Sequence, residues 1–216
     1  MKSKVILISG LLMASVMTTP ADLKLSNVHA EVGINFDGTD WEFGLDDETN
    51  EIEYEPGKVN LFVEPGSKTT VPSNPAYSFL GTPGSDVWIV PQIINPNLLT
   101  VGISAEEMPT GLFLNDAFEL RVISVDGPGQ FALFQTDAFG SPRVFANTRD
   151  GLDASDTVPM FAGFHGHFSW AFSAAGKYEV TFEAVGTLVD GTEASSGPQS
   201  YSFFVSHRAR AFKEEL

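Results

Sequence analysis

The sequence contains no cysteine, and this absence excludes two kinds of site. A chain without cysteine has no disulfide framework and offers no thiolate to a metal ion. Histidine nitrogen and carboxylate oxygen are then the side-chain ligands that remain for a transition metal. A transition-metal site is therefore expected only where some of the four histidines lie close to acidic residues.

Basic residues are also scarce: 12 Lys and Arg stand against 28 Asp and Glu, which gives a formal net charge of −16. Nucleic acids and anionic lipid surfaces carry the same sign of charge, so neither is expected as a partner. The acidic surface of the protein concentrates cations near it. Acidity also keeps an exported domain soluble, so by itself it does not indicate a cation-binding function.

Beyond the N-terminus the sequence lacks long apolar runs and long helical periods. Its apolar residues occur in short alternating runs, which predicts strands and no internal membrane span. These runs recur at intervals of roughly 8 to 12 residues with Gly- and Pro-rich turns between them, a pattern typical of a β-sandwich. We predict one all-β, Ig-like sandwich of antiparallel strands over residues 22–206, followed by a tail over 207–216.

The N-terminus has the layout of a secretory signal peptide. Two lysines precede an almost unbroken apolar run over residues 5–17. Cleavage after Ala21 fits the preference for small residues at the cleavage site, and it assigns residues 1–21 to the signal peptide. Cleavage after Ala30 is the alternative, and it would remove His29. Either site predicts a secreted, periplasmic or cell-surface protein.

The first predicted hairpin joins residues 28–36 to residues 41–46 through an Asp-Gly turn signal. A two-residue turn would place His29 opposite Asp46, and a four-residue loop would place it opposite Glu48. In either register the apolar residues pair on one face. His29 then lies beside a carboxylate on the other face.

The stretch from His165 to Phe172 is predicted as one strand. Side chains alternate between the faces of a strand, so Phe168, Trp170 and Phe172 share a face that is suited to the core. His165 and His167 share the opposite face, close enough for both imidazoles to bind one ion. With His29 and an acid they form a candidate zinc site; the alternative is a pair of surface histidines beside a core strand.

Aspartate clusters offer a weaker, calcium-binding alternative. The candidates lie in two loops, one with Asp37 and Asp40 and the other with Asp150, Asp153 and Asp156. Calcium takes six to eight oxygen ligands, and neither spacing matches an EF-hand. Aspartates in such loops more often cap turns.

Signals of catalysis are missing from the sequence. Ser169 and Ser173 lie near the histidines, but no Gly-x-Ser-x-Gly elbow surrounds them. There is no phosphate loop and no dinucleotide fingerprint. We therefore predict a protein that is not an enzyme.

Several segments resemble, in order, the bacterial surface-anchored protein domain, also called the choice-of-anchor M domain. The resemblance covers about residues 27–206, and the segments that carry it are Asp47-Glu48-Thr49-Asn50, Tyr54-Glu55-Pro56, Val87-Trp88-Ile89-Val90-Pro91-Gln92, Ser124-Val125-Asp126-Gly127-Pro128-Gly129, Phe134-Gln135-Thr136-Asp137-Ala138-Phe139-Gly140, Asp150-Gly151-Leu152-Asp153 and His165-Gly166-His167-Phe168-Ser169-Trp170-Ala171-Phe172.

The resemblance implies an exported binding or surface domain without enzymatic activity. Some members of the family accompany uptake systems thought to handle metal. The family's histidine positions match His29, His165 and His167, while its two middle positions correspond to Gly44 and Asp46 here. The resemblance therefore implies a set of three histidines and one aspartate.

From the residues and the resemblance together we expect an envelope domain that binds a divalent transition metal, zinc first, through His29, Asp46, His165 and His167. Its partner is then the metal ion itself or a component of an uptake system. The competing hypothesis is a structural or adhesive surface module without a small ligand.

Overall fold

The computed structural model describes residues 23–207, and all of them belong to a β-rich fold. The predicted signal peptide and residues 208–216 of the predicted tail lie outside this range. None of the helices between residues 23 and 207 has the length and apolar character needed to cross a bilayer.

The described residues form seventeen strands and three short 3₁₀ helices. The strands are β1 (Lys24–Leu25), β2 (His29–Phe36), β3 (Trp41–Asp47), β4 (Ile52–Tyr54), β5 (Asn60–Val63), β6 (Lys68–Thr70), β7 (Asp86–Val90), β8 (Thr100–Ala105), β9 (Ala117–Asp126), β10 (Phe131–Thr136), β11 (Pro142–Asn147), β12 (Thr157–Phe161), β13 (Phe164–His167), β14 (Ser169–Phe172), β15 (Gly176–Thr187), β16 (Glu193–Ser195) and β17 (Gln199–Val205). The 3₁₀ helices cover Pro65–Ser67, Pro75–Leu80 and Leu114–Asp116.

The strands form three sheets that pack as a sandwich. Sheet A has the order β13-β8-β2-β3-β4, and sheet C has the order β11-β10-β14-β7-β6. Sheet B, with the order β1-β5-β17-β15-β9-β12 and β16 beside β15, makes the opposite layer. Its Phe118 ring lies 5.7 Å from the Trp41 ring of sheet A, and its Phe203 ring lies 5.2 Å from the Trp170 ring of sheet C. The predicted all-β sandwich is confirmed.

Pairing direction departs from the antiparallel prediction at three places. The pairs β1–β5, β5–β17 and β2–β8 are parallel. A parallel neighbour needs a long crossover, and residues 37–99 supply one between β2 and β8. Alternation of apolar residues shows that a strand exists but does not reveal which strand lies beside it.

The first hairpin has the four-residue loop. Phe36 pairs with Trp41, and the same register places Glu31 opposite Asp46. The Asp37 carboxylate closes the loop by accepting hydrogen bonds from the backbone N–H groups of Thr39 and Asp40, at 2.7 and 2.9 Å. The two-residue alternative, which placed His29 opposite Asp46, is therefore wrong.

The stretch predicted as one strand from His165 to Phe172 is two strands in different sheets. The segment β13 belongs to sheet A and β14 to sheet C, with the buried Phe168 between them. Phe168, Trp170 and Phe172 lie in the core, as predicted. Ala171, predicted on the polar face, is buried as well, because the 3₁₀ helix Pro75–Leu80 covers that side of sheet C.

Trp170 connects the two sheets at this crossing. Its indole N–H donates a hydrogen bond of 2.9 Å to the carbonyl of Val101 on β8. Both groups are buried, so no water molecule can take over the hydrogen bond if it is lost. It holds the start of β14 against the strand that lies beside the histidines of β13.

We expect Trp170→Phe to lower the free energy of unfolding by about 2–4 kcal/mol, because it removes buried volume and leaves the Val101 carbonyl unpaired. Trp41→Phe is the matched control. Its indole nitrogen is buried without a hydrogen-bond partner among the described residues, so the substitution should cost about 1 kcal/mol or less. Urea unfolding followed by circular dichroism measures both, and equal losses would contradict the assigned role of the Trp170 bond.

Candidate metal centre

Three neighbouring strands of sheet A bring the candidate ligands together. His29 and Glu31 are two residues apart on β2, and His165 and His167 are two residues apart on β13. Residues two apart on a strand point to the same face. The strand β8 lies between the two pairs, in register with both.

Gly102 on β8 allows side chains from the two outer strands to meet. It pairs with Glu31 on one side and with His167 on the other. A Cβ atom at this position would lie 3.0 Å from His167 Cδ2 and 3.3 Å from Glu31 Oε1. A larger residue at this position would therefore press on both the carboxylate and the imidazole.

One ligand atom from each of His29, Glu31, His165 and His167 lies within 4.8 Å of the other three. The Nε2 atoms of His29 and His167 are 3.0 Å apart. Glu31 Oε1 lies 3.2 Å from His29 Nε2, 2.6 Å from His165 Nε2 and 3.8 Å from His167 Nε2. Zinc–ligand bonds of about 2.0–2.1 Å at tetrahedral angles place ligand atoms about 3.3 Å apart, so these separations suit one ion.

The Glu31 carboxylate is the most buried member of the group, with 5% of its side chain exposed. Its Oε1 atom is buried, and its neighbours are three imidazole nitrogens, of which His165 Nε2 lies nearest at 2.6 Å. Burying a carboxylate is costly unless positive charge offsets the loss of its hydration. A cation held between this oxygen and the nitrogens would remove that cost.

Burial raises the pKa of the Glu31 carboxyl, but a hydrogen bond from His29 and the positive charge of His165 outweigh this effect. The pKa of Glu31 therefore lies below its ordinary value, and the residue is ionised at neutral pH. Burial, followed by the charges of His29 and His165, lowers the pKa of His167. A carboxylate and a neutral imidazole are the forms in which these side chains bind metal.

Two further contacts surround the group. Glu106, which is exposed, lies with its Oε2 atom 3.6 Å from His165 Nδ1. The side-chain amide of Gln135 donates a hydrogen bond of 2.8 Å to the backbone carbonyl of His167. His165 is the most accessible of the three imidazoles, with 37% of its side chain exposed, against 18% for His29 and 22% for His167.

The structure brings together three of the four predicted ligands and places Glu31 where Asp46 was expected. Asp46 lies opposite Glu31 on β3, but its side chain leans over Gly33, in the direction away from His29. Its Oδ2 atom is 2.7 Å from the position of a Cβ at Gly33. The prediction placed the carboxylate ligand across the hairpin from His29. The sequence feature that indicates the observed ligand is the i, i+2 spacing of His29 and Glu31 on one strand.

Three of the five aspartates considered for calcium, Asp37, Asp153 and Asp156, accept local hydrogen bonds. Asp156 accepts from the backbone N–H groups of Asn147 and Asp153, and Asp153 accepts from Ser155. Asp37 closes the first hairpin loop. Within residues 23–207, the histidine group is the one place where three or more metal-binding side chains converge.

Comparisons with models of protein families, with curated proteins and with solved structures found no match to this chain. The expectations drawn from the resemblance to the surface-anchored protein domain therefore remain expectations. The geometry of the four side chains is what indicates a metal centre.

Proposed function

We propose that this protein binds a divalent transition metal ion, zinc first, through His29, Glu31, His165 and His167. The observation that carries the proposal is the convergence of four ligand atoms within 4.8 Å of one another, with the buried Glu31 Oε1 among three imidazole nitrogens that lie within 3.8 Å of it. A cation held among these atoms would bind the carboxylate oxygen and the three imidazole nitrogens together.

The ligand types favour zinc. Three imidazoles and one carboxylate make a set of borderline and hard donors, which suits zinc and related first-row ions. Calcium needs six to eight oxygen ligands, whereas three of the four donors here are nitrogens. Four protein ligands also complete a tetrahedron, an arrangement used to hold zinc, whereas catalytic zinc keeps a position for water.

We place this binding function at the cell envelope, because the N-terminal sequence has the pattern of a signal peptide. The partial exposure of His165 gives the ion a way in and out, which suits reversible binding and delivery to an uptake component. A structural or adhesive module with the same fold would bind no metal, so metal titration separates the two hypotheses.

Isothermal titration calorimetry of the metal-free protein is expected to show one zinc ion bound per chain and no heat with calcium. The double variant His165→Ala/His167→Ala removes two of the four ligands and should show no zinc binding. Unchanged zinc binding by this variant, or no binding by the wild-type protein, would contradict the proposal.

Glu31→Gln and Asp46→Asn distinguish the observed carboxylate ligand from the one expected from sequence. Residues that only support a ligand typically contribute 10- to 100-fold to metal affinity, so loss of the ligand Glu31 should weaken zinc binding at least about 100-fold. Asp46→Asn removes the same charge from the facing position and should change affinity by no more than about threefold. The reverse order of effects would assign the ligand to Asp46.

Gly102→Ala tests whether the gap over β8 is required. The added methyl group would press on His167 and Glu31 and separate them, so we expect zinc affinity to fall about tenfold or more. Gly33→Ala is the control, because there the methyl group meets the flexible end of Asp46, outside the ligand group. Equal affinities for the two variants would show that the close approach at Gly102 is unimportant.

The fold also bears on the two predicted cleavage sites. Cleavage after Ala30 would remove β1, with its buried Leu25, together with His29 and Ala30 at the start of β2. We therefore expect the mass of the exported chain to correspond to cleavage after Ala21. An Ala21→Leu variant is the control and should accumulate uncleaved; a wild-type chain that starts at Glu31 would contradict this expectation.

A further inference from the structure

A row of residues crosses sheet A in register and ends at the candidate metal centre. Glu53 on β4 pairs with Asp46 on β3, and Asp46 pairs with Glu31 on β2. Glu31 pairs with Gly102 on β8, which pairs with His167 on β13. Facing residues of a sheet point to the same side, so three carboxylates stand abreast on neighbouring strands, about 5 Å from one strand to the next.

These carboxylates lie in an open trough of about 850 Å³ on the outer face of sheet A. Eight of the fifteen residues that line it are Glu or Asp, and none of the fifteen is Lys, Arg or His. Its floor contains Gly33 and Gly44, which pair with each other. The Asp46 and Glu53 carboxylates lean over this floor, 2.7 and 3.0 Å from the positions of Cβ atoms at the two glycines.

Like charges that face each other across a sheet reduce stability. The row of carboxylates therefore lowers the stability of the fold, and the packing of the core does not require these residues. The trough also has a buried end. Glu31 lines it, and the Oε1 atom of this 5%-exposed side chain, which lies among three imidazole nitrogens, is the atom that we assign to the metal ion. Glu106 lines it as well and contacts His165. The acidic surface is therefore continuous with the ligand group.

We infer that this trough is the entry path of the metal ion. Glu53 and Asp46 attract the hydrated divalent cation and raise its concentration beside Glu31. From there the ion passes to the imidazoles. The inference rests on the metal-binding function proposed above and adds the route. Asp46 thus acts in capture of the ion instead of serving as its ligand.

Charge steering acts mainly on the rate of association and weakens as salt screens the charges. Asp46 and Glu53 lie about 5–10 Å from Glu31, within the Debye length of about 10 Å at 0.1 M salt. We expect the double variant Asp46→Asn/Glu53→Gln to bind zinc about tenfold more slowly than the wild-type protein at low ionic strength. At about 1 M salt, where the Debye length is about 3 Å, the two rates should converge.

Sheet B offers a matched control. Asp126 on β9 and Glu179 on β15 are exposed and face each other in the same way. The variant Asp126→Asn/Glu179→Gln removes the same number of charges from an equivalent strand pair outside the trough. Its association rate should stay within about twofold of the wild-type rate, and circular dichroism should show that all three proteins are folded.

Stopped-flow mixing of each metal-free protein with zinc, in competition with a chromophoric chelator, measures these rates. If the wild-type protein and the Asp46→Asn/Glu53→Gln variant take up zinc at equal rates, and both still bind it at equilibrium, the inference is overturned. Equal slowing of both variants would also overturn it, because the effect would then come from net charge alone. No zinc uptake by the wild-type protein would refute the proposed function, and the entry path with it.

Discussion

The candidate metal centre depends on a gap in the middle strand of three. The histidines of β13 and the His29–Glu31 pair of β2 are not on adjacent strands, because β8 lies between them. The absence of a side chain at residue 102 lets them approach each other over β8. The same register aligns Glu53, Asp46, Glu31 and His167 across the sheet, so one set of backbone pairings positions both the ligands and the acidic approach to them.

Packing elsewhere in the sandwich supports this register. The chain leaves sheet A at Phe168 and enters sheet C as β14, and the buried Trp170 bonds back to β8 through Val101. The aromatic core row thus does more than fill the interior, since it fixes the end of the strand that carries the histidines. Within this frame the Glu31 carboxylate is held buried among the imidazoles, with its Oε1 atom 2.6 Å from His165 Nε2.

The sequence was sufficient to predict the all-β sandwich, the core role of Phe168, Trp170 and Phe172, and three of the four converging side chains. Alternation shows which face of a strand is buried, and it placed His165 and His167 on one side. It does not show which strands are neighbours. The parallel pairing of β2 with β8 joins residues about seventy positions apart, and without that pairing neither Gly102 nor the position of Glu31 beside β13 can be deduced.

The acid was assigned incorrectly for a related reason. The prediction took the hairpin partner, Asp46, as the neighbour of His29, whereas the observed group uses the next residue on the same face of the same strand. Asp46 and Glu53 are instead the outer members of the proposed carboxylate row that leads a cation inward.

The most direct test of the metal centre is X-ray absorption spectroscopy of the zinc-loaded protein. A zinc centre at this site requires four nitrogen or oxygen ligands at about 2.0–2.1 Å with outer-shell scattering from three imidazoles. A spectrum with six oxygen ligands and no imidazole scattering would contradict it.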